Sequence, residues 1–172
     1  MFVVVIMVHC CIQTINLTHY FLSCSCLFSF PNENATLNAK FDSSGKRLLC
    51  LQRTQLVVYD LPTLQHPIVN GNVVLMAPGF SAKFWIDSVF AGLNDELVVA
   101  ASDENNELMI WALPEGRSQQ NRTVDQPLQF LQGHNGPISN VRYSNEASAI
   151  VSCDVDGVIT LWTPGVPLHQ TT

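Results

Sequence analysis

The sequence predicts an all-β protein, on three observations. Short apolar runs separated by turn residues recur from residue 35 to residue 163. The repeating unit closes each time on an aromatic, at Tyr59, Trp111 and Trp162, about 50 residues apart. No segment holds the i, i+3, i+4 apolar spacing of an amphipathic helix. Recurrence at that period means stacked copies of one supersecondary unit, each burying a face against the next.

The first pass opens with Leu37 to Phe41, which alternates and runs into the turn Asp42-Ser-Ser-Gly45. Arg47 to Leu51 follows as a continuous apolar run, the pattern of a strand buried on both faces. Leu56 to Tyr59 is the third strand, and Pro62 ends it. The second pass places strands at Phe84 to Phe90, Leu97 to Ala101 and Leu108 to Trp111, with a turn at Gly92 to Asp95 and a polar break at Ser102 to Glu107. The third uses Ile138 to Tyr143, Ala149 to Ser152 and Val158 to Trp162, with the turn Asp154-Val-Asp-Gly157 before its last strand. Two stretches, Gly71 to Ala82 and Pro114 to Pro127, read as polar connections that lengthen the repeat.

The third pass resembles a WD40 repeat. Gly133-His134 precedes Trp162 at the family's usual interval, Ser152 ends the second strand and Asp156 lies in the turn before the third. The resemblance implies a hydrogen-bonded set of His134, Ser152, Asp156 and Trp162 that ties an outer loop to the strands. A buried indole N–H or imidazole needs such partners. The first two passes depart from the pattern, since neither has a Gly-His pair. Ala101 or Ser102 stands at the serine position of the second, and Arg53-Thr54 and Tyr59-Asp60 replace the turn aspartate and Trp-Asp of the first. The fold implied is a partial β-propeller of about three blades, over 35–76, 83–131 and 132–164, within a domain at 35–172.

Read in order, NAKFDSSGKRLLCL…VVYDLPT, VFAGLNDELVVAASDENNELMIWALPEG and LQFLQGHNGPISNVRYSNEASAIVS…ITLWTP are similar to the later blades of the DCAF class. These are WD40 substrate receptors of cullin-RING ubiquitin ligases. The likeness implies a protein-binding role, with a ligase adaptor and a target protein as partners, in the cytoplasm or nucleus. The W-D-x-R box through which such receptors often dock is absent. Its positions read Tyr59-Asp-Leu-Pro62, Trp111-Ala-Leu-Pro114 and Trp162-Thr-Pro-Gly165. A WD40 scaffold with unrelated partners is the alternative.

Charge and residue chemistry bear on the other function classes. The net charge is −6, and among eight Lys and Arg only Lys46 and Arg47 are adjacent, against the clustered cations that phosphate backbones require. A His-Ser-Asp set invites a hydrolase reading, but Ser152 lies in Ile-Val-Ser-Cys, with no glycine elbow and no oxyanion hole in view. No enzyme activity is expected. His9, His19, His66 and His169 have no carboxylate or cysteine at ligand spacing, and no cysteine pair is spaced for zinc, so no metal or cofactor is called for. Cys50 and Cys153 fall inside strands and read as small apolar groups.

Residues 1 to 32 stand apart. They contain no Asp, Glu, Lys or Arg and hold four of the six cysteines. The apolar stretches Met1 to Cys11 and Tyr20 to Phe30 lack the basic start of a secretory signal, and His9, Gln13, Asn16 and His19 interrupt any spanning run. Residues 1–34 are therefore open to three readings: a signal or anchor, a genuine folded element, or non-coding sequence translated ahead of the domain. An anchor would bring a membrane or secreted role. Only then would the sequons at Asn16, Asn34 and Asn121 matter.

Overall fold

The computed structural model describes residues 2–7, 26–32, 36–61, 72–78, 87–102, 105–114 and 126–165. The chain divides into two compact units, Met1–Ala35 and Thr36–Thr172. In the first, β1 (Phe2–Met7) pairs antiparallel with β2 (Cys26–Asn32), Phe2 opposite Asn32 and Ile6 opposite Phe28. The residues between these strands, with His9, His19 and the Asn16 sequon, lie outside the described residues, as do His66, His169, Asn34 and Asn121.

The second unit contains three antiparallel sheets in series. The first is β3 (Thr36–Phe41), β4 (Arg47–Gln52), β5 (Gln55–Asp60) and β6 (Asn72–Pro78), ordered β3-β4-β5-β6. The second is β7 (Ser88–Ala91), β8 (Leu97–Ser102), β9 (Glu107–Ala112) and β10 (Gln129–Gln132), again in sequence order across the sheet. The third has β11 (Ile138–Ser144), β12 (Ala149–Asp154) and β13 (Ile159–Trp162). Among the described residues there is no helix.

One of these strands corrects the reading of a polar connection, and another was not expected. Gly71 to Ala82 holds β6, because Val73-Val74-Leu75-Met76 is itself an apolar run that pairs with β5, Val58 opposite Leu75. Beyond the expected connection Pro114 to Pro127, Gln129–Gln132 adds β10 to the outside of the second sheet, Phe130 opposite Met109. The first two sheets are thus four-stranded. The strand expected from Phe84 begins at Ser88 within the described residues.

Turn chemistry explains why the strands reverse where they do. Asp42 Oδ1 accepts from the amides of Lys46 (2.8 Å) and Arg47 (2.9 Å), and Gly45 supplies the positive φ of 68° that closes the turn. Asp95, buried in the matching turn of the second sheet, accepts the amide of Ser43 at 2.7 Å, which links the two turns.

Packing between sheets follows one register. In the first, Leu49 and Leu51 on β4 face Val58 and Leu56 on β5, all 0% exposed. In the second, Val99 and Ala101 face Ile110 and Leu108 at the same positions, between 0% and 7% exposed. Both quartets belong to a single core that also takes in Phe90, Trp111, Ile138 and Val141. Full burial of a Leu or Val contributes roughly 1.5–3 kcal/mol, more than the ~1 kcal/mol net of a typical hydrogen bond, so these quartets dominate cohesion between sheets.

Candidate functional site

Equivalent register positions align the three sheets residue by residue. Tyr59, Trp111 and Trp162 stand opposite Leu48, Val98 and Ile150, so the three strand-ending aromatics are structurally equivalent. Trp111 is buried, while Tyr59 and Trp162 are partly buried. At Tyr59, burial pushes the phenol pKa up and a hydrogen bond with Gln52 opposes that shift. Cys50 lies buried on β4, and burial pushes its thiol up to about 12.

His134, Ser152 and Trp162 come together in the third sheet. His134 sits in the loop between β10 and β11 and is buried. Its Nε2 lies 2.7 Å from Ser152 Oγ, and Trp162 Nε1 donates to the same oxygen at 2.8 Å. The rings of His134 and Trp162 are 6.2 Å apart and tilted by 55°. Gly133 is required beside them, since a Cβ there would meet Trp162 Cη2 at 2.8 Å.

The aspartate is the correction. His134 Nδ1 lies 2.8 Å from Oδ2 of Asp154, not of Asp156. Strand β12 runs through Asp154, so Ser152 and Asp154, two residues apart, share one face of the sheet. Asp156 lies beyond the strand, exposed in the turn against Gly136. Asp154 has a second role: its Oδ1 accepts from the amides of Asp156 (3.0 Å) and Val158 (2.9 Å), closing the hairpin. Burial opposes its ionisation, but the bonds from His134, Val158 and Asp156 prevail and hold its pKa below the ordinary carboxylate value.

Only one proton arrangement satisfies every member. The indole can only donate, so Ser152 accepts from Trp162 and gives its own proton to His134 Nε2; His134 Nδ1–H then donates to Asp154. The order Asp–His–Ser is that of a hydrolase relay, but Ser152 is 0% exposed on a regular strand and its oxygen is held from two sides. Register also places Ala100, rather than Ala101 or Ser102, at the serine position of the second sheet, with Ser102 at that of Asp154. In the first sheet Cys50 and Gln52 take these places, not Arg53-Thr54.

The outward face of the third sheet is its most accessible apolar feature. Val151 and Cys153 face Leu161 and Ile159, the same quartet that is buried in the other two sheets. Ile159 is 71% exposed and Leu161 66%. Among the described residues strand β13 has no fourth strand beside it. Sequence reading also missed Asp87, whose buried carboxylate accepts from Asn38, Lys40 and Arg142. Its signal was a lone acid in the apolar run Phe-Trp-Ile-Asp-Ser-Val-Phe. Among the described residues no three His, Cys, Asp or Glu side chains are grouped to hold a metal ion, and no helix is long and apolar enough to cross a membrane.

Sheets of this strand order, packed face to face in series, define the class: the fold is a partial β-propeller of the WD40 type, with three consecutive blades. Within that class the chain is similar to DDB1- and CUL4-associated factor 5 of Homo sapiens and of Mus musculus, 26% identical to each over 135 residues. The match takes in 76% of this chain and 14% of each relative. Among solved structures it is similar to the β-propeller domain of Cps50 (Swd1) from Myceliophteria thermophila, with a TM-score of 0.64 and 16% identity over 80% of this chain and 41% of that one. No protein-family model matches the chain.

Proposed function

We propose that this chain is a protein-binding propeller segment of a cullin-RING ubiquitin ligase substrate receptor, acting inside the cell to present target proteins for ubiquitination. The likeness to DDB1- and CUL4-associated factor 5 over 135 residues carries this reading. The Asp154–His134–Ser152–Trp162 chain is a structural fastener of the third blade in this reading, not a catalytic device. Its burial and its four-way proton accounting support that role.

Neither Trp111 nor Trp162 is followed by the Asp and Arg of a W-D-x-R box, and the Tyr59-Asp60 pair lacks the Arg. Contact with the adaptor would therefore fall on other residues, and this departure favours the scaffold with unrelated partners as the second reading. Affinity purification of the full-length gene product separates them. Recovery of the cullin and its propeller-shaped adaptor at levels well above a bead control is expected. Recovery of other proteins without either subunit would leave the scaffold reading and remove the ligase one.

A further inference from the structure

Asp87 stands where the inner strands of the three blades meet, one residue before β7, and is 4% exposed. Its two oxygens are divided between its neighbours. Oδ1 accepts from Asn38 Nδ2 (2.7 Å) and Lys40 Nζ (2.6 Å) on β3, and from the adjacent Ser88 amide (2.9 Å). Oδ2 accepts from Arg142 Nη1 and from the Val141 amide (3.4 Å) on β11. One buried carboxylate thus serves the blades on both sides of its own.

The repeat shows that this arrangement is particular to the middle blade. Phe41, Phe90 and Tyr143 are register equivalents, opposite Leu48, Val98 and Ile150. Counting back from each, Lys40, Val89 and Arg142 are equivalent, and so are Asn38, Asp87 and Asn140. The outer two blades carry Asn-x-cation where the middle one carries Asp-x-Val. The middle blade has lost its own cation and exchanged an amide for a carboxylate, which matches it to the cations of both neighbours. Three copies of either pattern would set like charges against one another or leave none to pair.

We propose that Asp87 is a latch that couples the first blade to the third, so that loosening of one inner strand at the propeller axis is transmitted to the other. Lys40 and Arg142 have no direct hydrogen bond and lie on strands from different blades, so Asp87 is their shared partner. Removing either cation leaves the buried carboxylate under-compensated against its desolvation, so it takes up a proton or turns toward water and gives up its place between the two strands. The inference does not rest on the ligase reading, which could fail without touching it.

Hydrogen exchange on the whole 172-residue chain tests the latch, because it reports each strand separately. Lys40→Ala is expected to speed exchange on β11, and Arg142→Ala on β3, each by about threefold or more. In an Asp87→Asn background neither substitution should add to the rate on the far strand. Both cations are partly exposed, so these two variants keep the core intact, and retained protection of Leu49 and Val98 confirms it. Effects confined to the mutated blade would overturn the latch. So would an Asp87→Asn chain whose β3 and β11 exchange as in the unaltered protein.

Discussion

Trp162 Nε1 donates to Ser152 Oγ at 2.8 Å, which joins the last strand of the third blade to its middle strand through side chains as well as the ladder. Since the same oxygen donates to His134, removing it strands the buried imidazole and the partly buried indole N–H. Ser152→Ala should destabilise the chain by about 1–3 kcal/mol, the cost of leaving such groups unpaired. Denaturant titration of the two chains checks it, and an unchanged midpoint would show that the hydroxyl is dispensable.

The two aspartates of the turn should separate cleanly. Asp154→Asn removes the charged acceptor of His134 and of two turn amides, so it lowers the melting temperature. Asp156→Asn alters an exposed side chain and should leave it nearly unchanged. Equal effects would return the assignment to the turn residue.

Gly133 lies against the indole edge of Trp162, and Gly133→Ala forces one of them to move. The expected cost is about 1–3 kcal/mol, typical of overpacking. Tryptophan fluorescence should shift with it, and restoring room by Trp162→Phe should recover part of the loss. An alanine variant as stable as the parent would mean that the loop yields freely.

Acid should loosen the protein through Asp87 and Asp154. For both, burial works against ionisation; the bonds from Lys40 and Arg142 outweigh it at Asp87, and those from His134 and the turn amides at Asp154, so the folded pKa lies below the ordinary carboxylate value. Stability from such groups is complete above that ordinary value and is lost as pH falls through the depressed folded one, below about pH 4. Unfolding midpoints measured down that range should fall. Asp87→Asn should flatten the descent, and a profile identical in the two proteins would count against this origin.

Strand positions were legible in the sequence because alternation and turn residues mark them directly. The end of β12 was harder to read: whether Asp154 or Asp156 meets His134 depends on where that strand stops, and both residues sit in one turn motif. The outermost strands were hidden for a different reason. β10 is mostly exposed, so its four residues carry little apolar pattern, and β6 is flanked by Gly and Pro that read as loop. Asp87 was invisible because its partners lie 47 to 55 residues away and only folding collects them.

Exposure of Ile159 and Leu161 predicts self-association of the isolated chain. The quartet they complete is buried in both other blades, and the edge of β13, unpaired among the described residues, can accept another strand. Light scattering after size exclusion should show oligomers or aggregates, and Ile159→Thr with Leu161→Thr should reduce them while keeping strand propensity. A monodisperse monomer that unfolds cooperatively would contradict this.

In both four-stranded blades the stretch that separates the third strand from the outermost one is longer than any turn inside the sheet, at 61–71 and 113–128. Such stretches join the two strands farthest from the axis. Insertions or deletions there lengthen or shorten the periphery and leave the inner strands, with Lys40, Asp87 and Arg142, in step. The spacing between repeats can then differ while the alignment at the hub is kept. That freedom accounts for a period near 50 residues in a chain whose strands keep one pairing register from sheet to sheet.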